Sequence, residues 1–530
     1  MLLATAFQLQ RDFERSLRLM QQALGAGDAL PERETREARF IQAHAQLSQQ
    51  RYGPAAMLFG SLAQRAGSLR ERARALYQQG RSYELQGEWK LAVASFQLAY
   101  QADPASEWAA PSLLASIRLV WRANDEASGA TLFYLLLGRP EWRESALRAG
   151  LFMAASDVVR GRGDRAGPWL DRLLPATADD RLELAWWRGR LAELKKEPRG
   201  AVAAYLEAVR GDPYHPLSRM ALARLATEPL APSAREEGLR LAGSRRTQDL
   251  YGAWLLLGRR DATGQAARIR LLQFLSADRT IGPWVRLAEV PIGSWPLWKK
   301  PLSRPEDKLL ALGMWHEGAP AVRDQFPVTQ PSLGLTGSLF LARGGEHARS
   351  IQQAETLLQR TPGQVPLAIQ PRVLHVVLYP NPYRELLLAQ SRLRGVDPDL
   401  LAALIREESS FDPNALSPRA ARGLAQFTVP AARRLAAQID LRVEPDDLYR
   451  PEISAALGAA GLSMLQRDLD GLDYMAVTAY QAGLPETLLW RSYCFSPGRF
   501  DEYFTKMGDP QVRTFLRRVL TSREHYEELY

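Results

Sequence analysis

A single cysteine, Cys494, stands among 530 residues, so no internal disulfide can staple this chain and its redox compartment stays undecided. The six histidines are dispersed, with no HExxH or Cys-His cluster, which argues against a metal site. Walker loop, dinucleotide fingerprint and GxSxG elbow are all missing, so chemistry without a cofactor is the simplest expectation. No run reaches the roughly 18 apolar residues needed to span a bilayer. The start, MLLATAFQLQRDFERSL, lacks a basic n-region and turns polar within ten residues, so it does not read as a signal peptide.

What the chain does have is enough apolar material for large cores, with 46% hydrophobic residues. Its length alone suggests roughly three or four domain-equivalents, several of which a continuous helical solenoid can absorb. The net charge of +9 favours an anionic partner. No nucleic-acid module motif is visible, so nucleic acid is not expected. Arginines are scattered through the helices, as on a solvated helical surface.

The segment LLAALIREESSFDPNALSPRAARGLAQF near the C-terminus carries most of the functional information. Asp397 followed by Pro398 reads as an N-cap with proline at the first helical position. Leu401, Leu404 and Glu408 fall at i, i+3 and i+7 and share one stripe, widened by Ile405. Glu408 is therefore expected to point inward, with Glu407 about 100° away on the polar side beside Arg406. A carboxyl against apolar walls has its pKa raised and can serve as a general acid; a helix-end glutamate can equally snorkel into water. Phe411, Asp412, Pro413 and Asn414 then break the helix, and Ser417, Pro418 and Gly423 keep the chain irregular. Gly423, Leu424, Ala425 and Gln426 follow the acid. Further on, Ala479, Tyr480, Gln481, Ala482 and Gly483 bring a phenol, an amide and a glycine together. Tyr, Gln, Ser and backbone around one acid suit a sugar, whose hydroxyls and N-acetyl groups ride on an apolar ring.

Residues 372–530 resemble the catalytic domain of soluble lytic murein transglycosylases, a lysozyme-like, goose-type fold in family 23 of the glycoside hydrolases. The resemblance rests on LYPNPYRELL at 378–387, the Glu408–Ser409 pair with Ser417, GLAQ at 423–426, AYQAG at 479–483 with Trp490, and RTFLRRVL at 513–520. It implies that Glu408 is the catalytic acid and base and that Ser417, Gln426 and Tyr480 line the sugar cleft. Ser409, Gly423, Leu424 and Gln481 complete the expected substrate-contacting set. The family usually has Met where Ala425 stands, Asn at Gln481, Gly near Ala420, and glutamates at Gln511 and Thr505.

One carboxylate suffices for the reaction that this resemblance implies. Asp412, the nearest further carboxylate, reads as a turn residue before Pro413, whereas ordinary lysozymes use two carboxyl groups. In a transglycosylase the 6-hydroxyl of N-acetylmuramic acid attacks its own anomeric carbon, an intramolecular step with an effective molarity on the order of 10⁵ M or more. The expected product is a 1,6-anhydromuramyl end, formed on peptidoglycan strands in the periplasm or cell envelope. The alternatives are a non-catalytic scaffold that binds peptidoglycan and a hydrolytic muramidase.

Upstream the chain reads differently. Gly80, Tyr83, Ala92, Phe96, Ala99 and Pro104 fall on the small, aromatic and proline positions of a tetratricopeptide repeat. Gly189, Ala192, Ala201, Tyr205, Ala208 and Pro213 repeat the scheme, and Tyr52, Ala55 and Phe59 form a weaker copy. The expected organisation is all-α: a repeat domain over 1–225, a helical continuation over 226–371, and the lysozyme-like domain over 372–530. A protein partner would dock on the concave face of the repeats. Residues 306–316 and 346–359 read as amphipathic helices, and Trp295 and Trp298 as helix staples rather than sugar platforms. Pro362, Pro366, Pro371, Pro380 and Pro382 mark the last boundary.

Overall fold

Glycine facing an aromatic ring sets the packing of the N-terminal helices. Ser68 caps the helix Leu69–Gln86, accepting from the Glu71 N–H at 3.1 Å, and Gly87 at φ 86° ends it. The chain turns straight into Trp89–Ala102, and the fully buried Phe96 lies across Gly80. A methyl at Gly80 would come within 2.6 Å of that ring. The pair Ala178–Leu194 and Pro198–Gly211 repeats the arrangement, with Tyr205 only 2.4 Å from where a Gly189 Cβ would sit. In the earlier pair, Glu32–Ser48 and Tyr52–Gln64, Phe40 meets Phe59 edge-on at 5.2 Å instead. Small residues thus let paired helices approach, and an aromatic fills what is left between them.

The computed structural model describes residues 18–20, 22, 31–288, 290–296, 304–319, 326–363 and 365–530. The opening segment 1–17 and Trp298 lie outside the described residues. Within them the protein is all-α, without a strand; only isolated bridges join Leu416 to Arg422 and Arg422 to Phe427. The two amphipathic stretches beyond residue 300 form the helices Pro305–Ala311 and His347–Arg360. The first stops early because Gly313, at φ 78°, turns the chain. Trp295 is buried, as a staple requires. Helices Ala231–Ala242, Thr247–Leu257 and Ala262–Ala277 share a core of Leu241, Tyr251, Trp254 and Leu271. The prolines between 362 and 382 interrupt helix as expected, leaving a 3-10 turn at Leu367–Ile369 and the short helix Arg372–Leu378 among them.

The largest apolar core does not stop at residue 371. It runs from Ala92 and Phe96 through Trp186 and Leu217 to Leu401, Tyr503 and Tyr526. Buried polar contacts cross the same divide. Thr505 donates to Glu183 at 2.7 Å and accepts from the Trp187 indole at 2.9 Å, while Arg513 pairs with Glu183 at 2.6 Å. A carboxylate therefore does sit beside Thr505, where the resembled family carries one, but the helix Ala178–Leu194 supplies it. Arg81 likewise reaches Glu486 at 2.7 Å, and Tyr214 donates to Glu528 at 2.9 Å. A paired charge sealed in a core, as Glu183 is at 1% side-chain exposure, is costly to break, so its contacts fix the C-terminal helices on the N-terminal ones.

Candidate active site

Asp397 and Pro398 start the Glu408 helix as their chemistry dictates. The Asp397 carboxylate accepts from the Asp399 N–H at 2.9 Å, and the helix runs over Pro398–Ser409. It ends abruptly because Ser410 and Phe411 both take left-handed backbone, at φ 52° and 62°. Phe411 is buried and anchors the turn. Leu400 through Ile405 are fully buried, which holds this helix in the core and presents its last turn at the edge. Glu408 is half-buried there.

Glu407 and Arg406 do not lie on a polar face. Arg406 is buried, with Nε donating to the Leu378 carbonyl at 2.8 Å and Nη2 pairing with Glu355 at 3.1 Å. Its other terminal nitrogen pairs with Glu407. The Glu407 carboxylate also takes Arg518 at 2.6 Å and the Ser522 hydroxyl at 2.7 Å, and its side chain is 1% exposed. Burial pushes this carboxyl up, but Arg406, Arg518 and the Ser522 hydrogen bond outweigh it and hold Glu407 below the ordinary carboxylate range. The angular reading of the helix is sound; the side taken as solvent-facing is covered by the long C-terminal helix Pro510–Leu529. Glu407 stays ionised and fixes the end of the helix from which Glu408 projects.

Across from Glu408 stands Tyr480, in the last turn of the helix Asp473–Ala482. Burial raises the Tyr480 phenol well above its ordinary value, and the Glu408 charge raises it further. It remains a phenol and donates to the Ala425 carbonyl at 2.7 Å. The Ala425 N–H in turn donates to Ser454 at 3.0 Å. Between Glu408 and Ala425 the chain folds into a tight loop. Ser417 accepts from the Ala421 N–H at 3.1 Å, and the Gln426 amide donates to the Ala415 and Gly423 carbonyls at 3.2 and 2.9 Å. Gly423, at φ 72°, passes so close to the neighbouring backbone that a Cβ would stand 1.8 Å from the Leu448 carbonyl oxygen. Only glycine fits both demands.

Glu408 and Tyr480 are thus brought together, with the 410–428 loop between their helices. Ser409, half-buried, donates to the Ile405 carbonyl at 3.2 Å, one turn back. Gln481 is half-buried beside Tyr480. Ser417 and Gln426 spend hydrogen bonds on holding the loop. Leu424 is a correction: its side chain is fully buried in the main core, so only its backbone could meet a ligand. Buried aliphatic side chains next to a reactive loop look alike in sequence whether they face the ligand or the core. Arg406, Glu407 and Ser454 are the supporting residues that motif reading missed. The paired arginines of RTFLRRVL carried a signal for one of their partners, since Arg518 is the second of them.

Among the described residues, no group of three or more His, Cys, Asp or Glu is placed to hold a metal ion, and no helix is long and apolar enough to cross a membrane. The geometry provides the half-buried Glu408 carboxylate, a phenol that it influences, and a rigid loop of backbone and amide groups, in which Asp412 accepts from the Asn414 N–H at 2.8 Å as a turn residue.

Residues 385–499 match the Transglycosylase SLT domain. That span contains Glu408, the whole loop and Tyr480, but not the C-terminal helix that holds Glu407. A Haemophilus influenzae protein named as a soluble lytic murein transglycosylase is 26% identical over 151 residues, covering 28% of this chain and 26% of the relative. An endo-type membrane-bound lytic murein transglycosylase A from Salmonella enteritidis is 35% identical over 99 residues, covering 17% of this chain and 49% of the relative. The chain therefore spans at most about half the length of these relatives. Among solved structures, an inactive mutant of the lytic transglycosylase Slt from Pseudomonas aeruginosa aligns over 98% of this chain and 86% of its own, at 17% identity and a TM-score of 0.35. The 70 kDa soluble lytic transglycosylase of Escherichia coli aligns over 99% and 88%, at 15% identity and a TM-score of 0.34. At such scores the superpositions establish no shared overall shape.

Proposed function

We propose that this protein is a lytic murein transglycosylase, with Glu408 as its single catalytic acid and base on a lysozyme-like domain of glycoside hydrolase family 23. The observation that carries the reading is the coincidence of the domain match over 385–499 with Glu408 held at a helix end opposite Tyr480. Protonated Glu408 donates to the glycosidic oxygen between N-acetylmuramic acid and N-acetylglucosamine. The carboxylate so formed takes the proton of the muramyl 6-hydroxyl as that oxygen bonds to the anomeric carbon. No water enters, and the product is a 1,6-anhydromuramyl end. Intramolecular attack replaces the second carboxylate of ordinary lysozymes.

In this reading Ser409, Ser417, Gly423, Gln426, Tyr480 and Gln481 border the glycan, with the loop backbone offering further donors and acceptors. Ala425 stands where the family usually has methionine, yet its backbone still anchors Tyr480 and Ser454. The site of action is the periplasm or cell envelope, where the net positive charge suits a wall bearing peptide carboxylates. The N-terminal helix pairs are read as tetratricopeptide-like, with a face for a protein partner. The test is mass spectrometry of soluble fragments released from purified murein by the wild-type chain and by Glu408→Gln. Anhydromuropeptides from the wild type alone support the assignment. Reducing-end products mean a hydrolase, and binding without release means a scaffold.

A further inference from the structure

A cavity lies where the C-terminal helix meets the helices around residue 260. Its volume is about 350 Å³, at the small end of the range for small-molecule pockets, and its lining includes Trp254, Arg259, Arg268, Gln370, Arg372 and His525. Neither the 410–428 loop nor the helix bearing Tyr480 contributes to it, so it is separate from the candidate active site. Three guanidinium groups border it, against one carboxylate, Glu528. That carboxylate is already engaged, by Arg259 at 2.5 Å and by the Tyr214 hydroxyl at 2.9 Å. The cavity is therefore electropositive.

Gln370 and His525, 6% and 1% exposed, also line it. The wall behind them is rigid. His525 lies between Tyr214, 3.8 Å from its ring centre, and Tyr379, 4.0 Å away. Burial and the neighbouring His375 and Arg406 push its imidazole down to about 2, so the positive charge of the cavity comes from the arginines. An apolar flank completes it, formed by the Trp254 indole, with Arg268 at 5.7 Å from the ring, together with Ala368 and Leu529.

We propose that this cavity binds a small organic carboxylate of about dipeptide size, its carboxylate on the arginines and its apolar part against Trp254. Guanidinium forks recognise carboxylates bidentately. This inference stands independently of the reaction assigned to Glu408.

Isothermal titration of the full chain with N-acetyl-alanyl-alanine, with its C-terminal amide and with inorganic phosphate tests it. Saturable binding of the free acid is expected, with the amide and an R268E/R372E double variant each weaker by about tenfold or more, the scale of one charged hydrogen bond. Circular dichroism checks that the variant is folded; should it unfold, R372E alone, at an exposed position, carries the same test. No binding of the dipeptide, equal binding of acid and amide, or unchanged binding by the variant overturns the proposal. So does binding of phosphate alone.

Discussion

The helix pairs at Gly80 and Gly189 and the end of the Glu408 helix meet the same requirement, close contact between helices, in opposite ways. In the pairs, a glycine accepts an aromatic ring, and the contact at the glycine is with ring carbons. At the Glu408 helix the contact with Pro510–Leu529 runs through a buried carboxylate, two arginines and a serine. Apolar contact is forgiving of small rotations, because its energy follows buried area. A buried ion network is not, because each hydrogen bond has its own direction and a lost partner leaves an expensive charge. The directional device stands where one side chain must be aimed. The pairs need only to stay folded, so damage there should appear in stability before chemistry, and damage at the ion network in both.

Glu408→Gln is the sharpest way to separate aim from stability. It keeps the shape of the side chain and removes its proton transfer. Release of anhydromuropeptides should fall by about 10²–10⁴-fold, the usual contribution of a positioned acid or base, with the melting temperature nearly unchanged. Near-normal release would remove Glu408 from the mechanism.

Glu407→Gln should do the reverse in kind and come next in size. It leaves Arg406, buried at 6% side-chain exposure, short of its main counter-charge, which costs about 3 kcal/mol on the scale of broken buried pairs. Chemical denaturation measures that loss, and murein release should drop with it because Glu408 loses its support. The pH dependence has a definite sign. The folded Glu407 carboxyl sits below its ordinary value of 4.5, so its stabilisation is fully present above pH 4.5 and fades as pH falls through the folded value. The wild type should therefore lose stability on acidification over that window more steeply than Glu407→Gln. Parallel curves would mean that the network adds nothing to the fold.

Gly423→Ala tests the loop that lies between the two helices of the site and meets Tyr480 through Ala425. The Cβ would collide with the Leu448 carbonyl and the backbone would be held at an unfavourable φ, at a cost on the order of 2–3 kcal/mol. Because the Gln426 amide donates to the Gly423 carbonyl, the shift should pass to Ala425 and Tyr480 and lower activity beyond the stability loss. A variant that is destabilised but fully active would show that the loop does not position Tyr480.

How much of this was readable beforehand follows the range of the interactions. The cap at Asp397 and Pro398, the break after Ser409 and the helix pairs around Phe96 and Tyr205 are legible because caps, turns and helical periodicity are local. The helical stripe points to Glu408, and ordered motifs single it out together with Tyr480. Glu407 was misplaced because its partner Ser522 is 115 residues away, and no periodicity reports which helix will cover a given face. Glu183 was missed for the same reason, its partner Thr505 being 322 residues distant. Leu424 was read by its place in a motif, while its burial depends on a core assembled from the whole chain.

The smallest expected effect belongs to the helix pairs. Gly189→Ala puts a methyl 2.4 Å from Tyr205, a ring edge that can tilt but is fully buried. Overpacking of this kind costs about 1–3 kcal/mol, partly offset by alanine's better helix propensity. Gly80→Ala, against Phe96 at 2.6 Å, should behave the same way. Both variants should melt earlier and yet release murein fragments at the wild-type rate at a temperature where they are folded. The comparison would fail if Gly189→Ala lost activity out of proportion to stability. Glu183 gives such a loss a route, since it lies on the same helix as Gly189 and grips Arg513 and Thr505. Wild-type kinetics in a destabilised Gly189→Ala would show that this grip absorbs a local rearrangement of the pair without passing it on to Glu408.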